Sequence, residues 1–132
     1  MQKKNRSFSP ENLLSEFSPE FLNPVFCREW IIKKIHPEGA RCPHCYMEIS
    51  DIRELERFWR GDQVKCPGCA RKFTARSKTI LAGIGADDRK LILFMLFFAL
   101  KMPISQIEKY AKMDKRTLFL YRHRFGLSHK NE

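Results

Sequence analysis

Hydrophobic positions recur at a helical spacing near the start of the chain. Phe26, Trp30, Ile31 and Ile35 lie at positions i, i+4, i+5 and i+9, as on one face of a helix. Three capping residues stand directly before prolines suited to a first helical position: Ser9-Pro10, Ser18-Pro19 and Asn23-Pro24. Pro37 and Gly39 then end the pattern. Residues 1–41 are therefore predicted to be a helical lead-in that packs against the segments that follow.

The pattern changes between residues 42 and 82, where short polar stretches alternate only in part. They predict small antiparallel strands rather than helices, although residues 51–58 could form one helical turn. Gly61-Asp62 is predicted to be a turn between two of these strands. Large apolar residues are few, and a piece of about 40 residues seldom folds without a staple.

Helical spacing returns from residue 86. Asp87 or Asp88 is the predicted cap of a helix that is apolar nearly all round, so that protein should surround it. Pro103 ends this helix. A second helix is predicted to be capped by Ser105, with these residues on its inner face: Ile104, Ile107 and either Tyr110 or Ala111.

A third helix is predicted after Asp114, with Leu118, Tyr121 and Phe125 turned inward and Gly126 at its end. Its join to the second helix is short. Three helices with one tight join are typical of a tri-helical helix-turn-helix, here over residues 86–127.

Four cysteines supply the staple that the middle segment needs. They form two C-x-x-C pairs twenty residues apart: Cys42, Cys45, Cys66 and Cys69. This spacing indicates one tetrahedral zinc ion with four thiolate ligands, which closes the coordination shell and makes the ion structural. Pro43 and Pro67 preset the two turns, and Gly68 is expected to relax the second. An iron site with the same ligands is the alternative, and Cys27 is predicted to be a buried core residue.

The predicted fold class is therefore α+β, in three parts. They are a helical lead-in (1–41), a small antiparallel four-cysteine zinc ribbon (42–82) and a C-terminal tri-helical helix-turn-helix (86–127). The longest apolar run, residues 91–100, is about half as long as a membrane span requires. We expect a soluble, cytoplasmic protein with reduced thiols and no membrane partner.

The charge is strongly positive, with 25 Lys and Arg against 15 Asp and Glu. Its excess grows from +2 over residues 1–41 to +5 over residues 86–132. A basic surface attracts nucleic acid, and the third C-terminal helix is the candidate recognition helix. Lys115, Arg116 and Thr117 in its first turn are predicted to meet base edges, and Phe119 a thymine methyl.

Later residues of the same helix are predicted to contact phosphates: Arg122, His123 and Arg124. Residues 71–79, between the ribbon and the helices, are a second predicted contact with the DNA backbone, through Arg71, Lys72, Arg76 and Lys78. The predicted partner is double-stranded DNA. The pattern predicts neither the target sequence nor the oligomeric state.

The order of these parts resembles the N-terminal region of zinc-ribbon insertion-sequence transposases. The resemblance is carried by "FCREWIIKKIHPEGARCPHC", by "RKFTARSKTIL" with Phe73, Thr79 and Ile80 at matching places, and by "ISQIEKYAKMDKRTLFLYRHRF". Tyr46 stands where that family has glycine. The chain stops where the family's catalytic domain would begin, so the resemblance implies DNA recognition without strand-transfer chemistry.

Two functions remain in view from the sequence. The first is a sequence-specific DNA-binding regulator of transcription, or of a mobile element or phage. The alternative is an adaptor whose ribbon docks on a polymerase, transposase or phage protein, and an exposed apolar patch around Phe58 and Trp59 would favour it. An enzyme is not expected, because the sequence has no phosphate loop and no nucleophile–base pair at useful spacing.

Overall fold

The computed structural model describes residues 8–83 and 87–126. Over these residues the chain forms six α-helices and one two-stranded antiparallel sheet, with a 3-10 turn at Pro19–Leu22. In chain order the elements are α1 Pro10–Glu16, α2 Pro24–Ile35, α3 Ile52–Arg60, β1 Val64–Lys65, β2 Lys72–Phe73, α4 Asp88–Ala99, α5 Ile104–Ala111 and α6 Lys115–Arg124. The predicted mixture of helix and sheet is confirmed.

The helical lead-in begins where its prolines predict. Each of its three helical segments has proline in the first turn. Ser9 Oγ accepts the Asn12 N–H at 3.1 Å, and Asn23 Oδ1 accepts the Val25 N–H at 2.8 Å. Ser18 makes no such side-chain bond, and its segment is only a 3-10 turn. Local capping chemistry thus sets the starts of α1 and α2.

The middle segment contains a helix where strands were predicted, so that part of the prediction is wrong. α3 runs for nine residues because Asp51 caps it and Gly61 ends it in the left-handed conformation, with φ 86°. Gly61 is therefore a helix end and not a hairpin turn. The strands are only the pairs Val64↔Phe73 and Lys65↔Lys72, with one isolated bridge between Arg41 and Glu48.

The three C-terminal helices follow the predicted order. Asp87 caps α4, and Asp114 caps α6 by accepting the Thr117 N–H at 2.7 Å. The prediction that Ser105 caps α5 is wrong. The helix starts directly after Pro103 and has no side-chain cap. The inward residue near the end of α5 is Ala111.

Two hydrophobic cores lie under these elements. The larger core joins the lead-in to α4, α5 and α6, so that the first and third sequence segments share one interior. α4 contacts α1, α2, α5 and the 3-10 turn, which agrees with its apolar composition on all sides. The predicted boundaries at residues 86 and 127 lie outside the described residues. Within those residues, none of the helices combines the length and apolar character needed to cross a membrane.

The smaller core surrounds the cysteine knuckles. Its buried members are Ile32, Ala40, Cys42, Ile49, Phe58, Val64, Cys66, Phe73 and Ala75. α2 connects the two cores, because Ile31 packs into the larger one and the adjacent Ile32 into the smaller one. A helix apolar on two sides is suited to a position between two cores.

Polar contacts also connect the chain after β2 to the helices. The His36 ring, at the end of α2, hydrogen-bonds the Ala75 carbonyl. Arg76 forms an ion pair with Asp88 in the first turn of α4. Arg124 of α6 donates from Nη1 to the carbonyls of Ile80 at 3.0 Å and Ala82 at 2.8 Å. These bonds hold residues 75–82 against three helices.

The join between α5 and α6 requires a left-handed backbone conformation at Lys112. Lys112 adopts φ 55° and ψ 50°, a left-handed conformation that costs a non-glycine residue about 1 kcal/mol. We expect Lys112→Gly to stabilise the protein, by on the order of 0.5 kcal/mol after the added chain entropy is subtracted. Lys109→Gly, inside α5, should instead destabilise it by about 1 kcal/mol. Denaturant unfolding of both variants measures the difference, and a Lys112→Gly variant as unstable as Lys109→Gly would contradict this reading.

His36 makes the stability of the protein depend on pH. Desolvation lowers its pKa below the usual 6.5, although the bond to Ala75 opposes this shift. The unfolded chain therefore takes up a proton at a pH where the folded chain does not. Stability should be intact above about pH 6.5 and fall as the pH drops below it. His36→Gln, which keeps an N–H donor but does not titrate, should lose less stability between neutral pH and about pH 5. Equal losses in thermal unfolding of the two proteins would refute this prediction.

Candidate metal centre and nucleic-acid interface

The two C-x-x-C loops have the same backbone geometry. In the first knuckle (Cys42 to Tyr46) the Tyr46 N–H donates to the Cys42 carbonyl at 2.9 Å. In the second knuckle (Cys66 to Ala70) the Ala70 N–H donates to the Cys66 carbonyl at 3.0 Å. Tyr46 and Ala70 both adopt left-handed φ values, 66° and 65°. Each loop thus turns its two sulfurs toward one point, as the repeated motif predicts.

The four sulfurs meet between the knuckles. The Sγ atoms of Cys42, Cys45, Cys66 and Cys69 all lie within 4.8 Å of one another. Two pairs across the knuckles are closer, Cys42–Cys69 at 3.7 Å and Cys45–Cys66 at 3.5 Å. Sulfurs at 2.3 Å from a tetrahedral ion would be about 3.8 Å apart. The set is therefore consistent with one metal ion held by four thiolates.

Backbone N–H groups point at these sulfurs. The His44 N–H lies 3.3 Å from the Cys42 Sγ. The N–H groups of Gly68 and Cys69 lie 3.3 Å and 3.5 Å from the Cys66 Sγ. The bond from Cys69, with that from Gly68, lowers the pKa of the Cys66 thiol to about 6. Such donors stabilise the thiolate form that binds a metal.

The cluster does not ionise evenly by itself. The Met47 N–H lowers the pKa of the Cys45 thiol, but the neighbouring Cys66 sulfur, desolvation and the other two sulfurs outweigh it and raise that pKa to about 11. Several thiolates this close repel one another unless a cation lies between them. Full ionisation of the four sulfurs therefore goes together with binding of a metal ion.

Gly68 has a different role from the one predicted. Its φ is not positive, so the turn does not require glycine for backbone freedom. A Cβ at this position would instead lie 2.8 Å from the Met47 Sδ. Glycine leaves room for Met47 to cross from the first knuckle to the second.

Cys27 stands apart from the cluster, as predicted. It is fully buried in the larger core, and its Sγ donates to the Phe21 carbonyl at 3.0 Å. Burial raises the pKa of its thiol. Cys27 is therefore a structural residue and a natural control for the four knuckle cysteines.

The predicted recognition residues lie together on α6. Leu118 and Tyr121 are buried, and burial raises the pKa of Tyr121 to about 12. The residues assigned to DNA are exposed or half-buried: Lys115, Arg116, Thr117, Phe119, Arg122, His123 and Arg124. The Arg122 guanidinium lies over the Phe119 ring, 5.0 Å from its centroid, and Phe119 is 46% exposed. The outer side of α6 is therefore basic with one aromatic ring.

Arg124 and two predicted contacts outside α6 have different surroundings. Arg76 is half-buried in its ion pair with Asp88, and desolvation lowers its pKa. Arg124 is exposed, but it donates to two backbone carbonyls. Lys78 is exposed. Arg76 and Arg124 thus have evident roles in holding residues 76–82 against the helices.

The structure also brings together two residues that the sequence did not pair. The Arg71 Nη1 of the second knuckle lies 3.4 Å from the His44 Nδ1 of the first. Phe58, by contrast, is fully buried and Trp59 is half-buried, so the apolar patch expected of an adaptor is not exposed there. The contact between Arg71 and His44 could have been predicted from the sequence, because both knuckles point at one centre and these residues lie on their facing sides.

Comparisons of the chain with protein-family models, with curated proteins and with solved structures gave no match. The resemblance to zinc-ribbon transposases therefore stays a prediction, carried by the residues quoted for it.

The metal centre is tested by its stoichiometry. We expect one divalent ion per chain, lost in Cys66→Ser and kept in Cys27→Ala, because only the former removes a ligand. A strong chelator should unfold the smaller core, since metal-binding energy, on the order of 10 kcal/mol, is folding energy in such a site. Affinity should fall at lower pH, because protons compete for the thiolates.

Elemental analysis and circular dichroism measure both effects. Wild-type protein without bound metal, or an equal loss of metal in both variants, would contradict the assignment.

Proposed function

We propose that the chain is a sequence-specific double-stranded DNA-binding protein, a regulator of transcription or of a mobile element or phage, with one structural zinc ion. The observation that carries the proposal is the basic, exposed outer side of α6. It is fastened by Leu118 and Tyr121 to the larger core and exposes Lys115, Arg116 and His123. A rigid helix with a basic outer side suits the major groove of DNA.

The neighbouring helices support a helix-turn-helix assignment. α5 and α6 are separated by three residues, Lys112 to Asp114, and Met113 among them is buried in the larger core. α5 also packs against α4, so that three helices stand together. In such a motif the second helix of the tight pair enters the groove, which here is α6.

The residues of α6 then divide by position. Lys115, Arg116 and Thr117 form its first turn and would meet base edges, where arginine pairs with guanine through two hydrogen bonds. Arg122 and His123 follow later on the helix and would meet phosphates. Phe119 is exposed beside the Arg122 guanidinium and would contact a thymine methyl.

Zinc is proposed because four thiolates in a tetrahedral set suit it, and because they leave no position for water or substrate. Its role would be structural. It would complete the smaller core, from which residues 75–82 lead to α4 and α6. The adaptor alternative receives less support, because its expected patch at Phe58 is buried.

The proposal is tested by titrating labelled duplex DNA at two salt concentrations. About five phosphate contacts should give a log–log salt slope near −4.5. Arg116→Ala should cost about 1–3 kcal/mol on a sequence selected from a random duplex pool and relax its specificity, because it removes a base contact. Arg122→Ala should weaken binding to all sequences similarly and reduce the slope by about 0.9, because it removes a phosphate contact.

Lys33→Ala, an exposed lysine of α2, is the control and should bind as the wild type does. Undetectable binding of the wild type at low salt would end the proposal.

A further inference from the structure

Two exposed cations, Arg71 and Lys78, lie where the two knuckles face each other. The Arg71 side chain reaches from the second knuckle to the His44 ring of the first, with Nη1 and Nδ1 3.4 Å apart. Lys78 lies close enough for its charge to act on the same ring. We call these three residues the knuckle rim.

The knuckle rim has no acidic partner within the described part of the chain. Four ion pairs are formed there, and they involve Lys34, Arg60, Arg76 and Arg89. Arg71 and Lys78 belong to none of them, and both are exposed. Exposed cations held close together without a carboxylate attract an anion from solution.

The knuckle rim leads directly to α6. Lys78 stands two residues before Ile80, whose carbonyl accepts a hydrogen bond from Arg124 near the end of α6. Two residues span at most about 7 Å, so Lys78 lies near the C-terminal end of α6. The knuckle rim therefore approaches α6 at its Lys78 end.

We propose that His44, Arg71 and Lys78 form a second phosphate-binding surface, which holds the backbone of the same duplex that α6 enters. This inference rests on the proposed function and deepens it. Arg71 and Lys78 were both in the predicted backbone contact, and Arg76 leaves it because it is paired with Asp88. Arginine offers a fork of donors to phosphate oxygens, and lysine adds a compact charge.

The test uses the full chain with zinc bound and a labelled mixed-sequence duplex. In Arg71→Gln/Lys78→Gln we expect the salt slope to weaken by about 1.8, because two phosphate contacts are lost. If the two proteins bind alike at about 1 M salt, this slope change makes affinity at about 50 mM salt fall roughly 200-fold. Metal content and thermal unfolding should match the wild type, because neither side chain is buried or ligates the ion.

The matched control is Arg53→Gln/Arg57→Gln, which removes two exposed arginines from α3. It should leave the slope unchanged, and an equal loss there would overturn the inference in favour of a total-charge effect. An unchanged slope in the rim variant, with wild-type binding intact, would also overturn it and leave the proposed function standing. Absence of wild-type binding would instead remove the proposed function itself.

Discussion

The structure depends on the convergence of four cysteine sulfurs. Cys42 and Cys66 are themselves buried members of the smaller core, so the ligand set and the core are one unit. The strands beside them are two residues long and contribute few hydrogen bonds. Four thiolates within 4.8 Å repel one another, and a metal ion bound between them would replace that repulsion with attraction. Without such an ion, the few apolar side chains of this segment bury too little surface to stabilise an independent fold.

The smaller core matters to the rest of the molecule because it is not separate from it. α2 presents Ile31 to one core and Ile32 to the other. Residues 75–82 follow β2 and are held by His36, Arg76 and Arg124. The position of α6 relative to the knuckles is therefore set by packing and by several polar bonds. Two positive surfaces at a constant separation can match the regular spacing of phosphates in a duplex.

Charge is distributed unevenly over this framework. Arginines that resemble one another in sequence have different tasks, because Arg76 is half-buried beside Asp88 while Arg71 lies exposed beside His44. The former stabilises the join between ribbon and helices, and the latter is available to an anion. A basic composition alone does not distinguish these two uses.

The sequence by itself determined the features that depend on neighbouring residues. The proline-led helix starts, the caps at Asp87 and Asp114 and the paired knuckles follow from local hydrogen bonding and ligand spacing. Tertiary structure decided the rest. α3 formed where strands were expected, and it buries Phe58 in the smaller core beside Ile32 of α2, Val64 of β1 and Phe73 of β2. The pairing of each arginine was likewise decided by folding, since it depends on which distant carboxylate or carbonyl comes near.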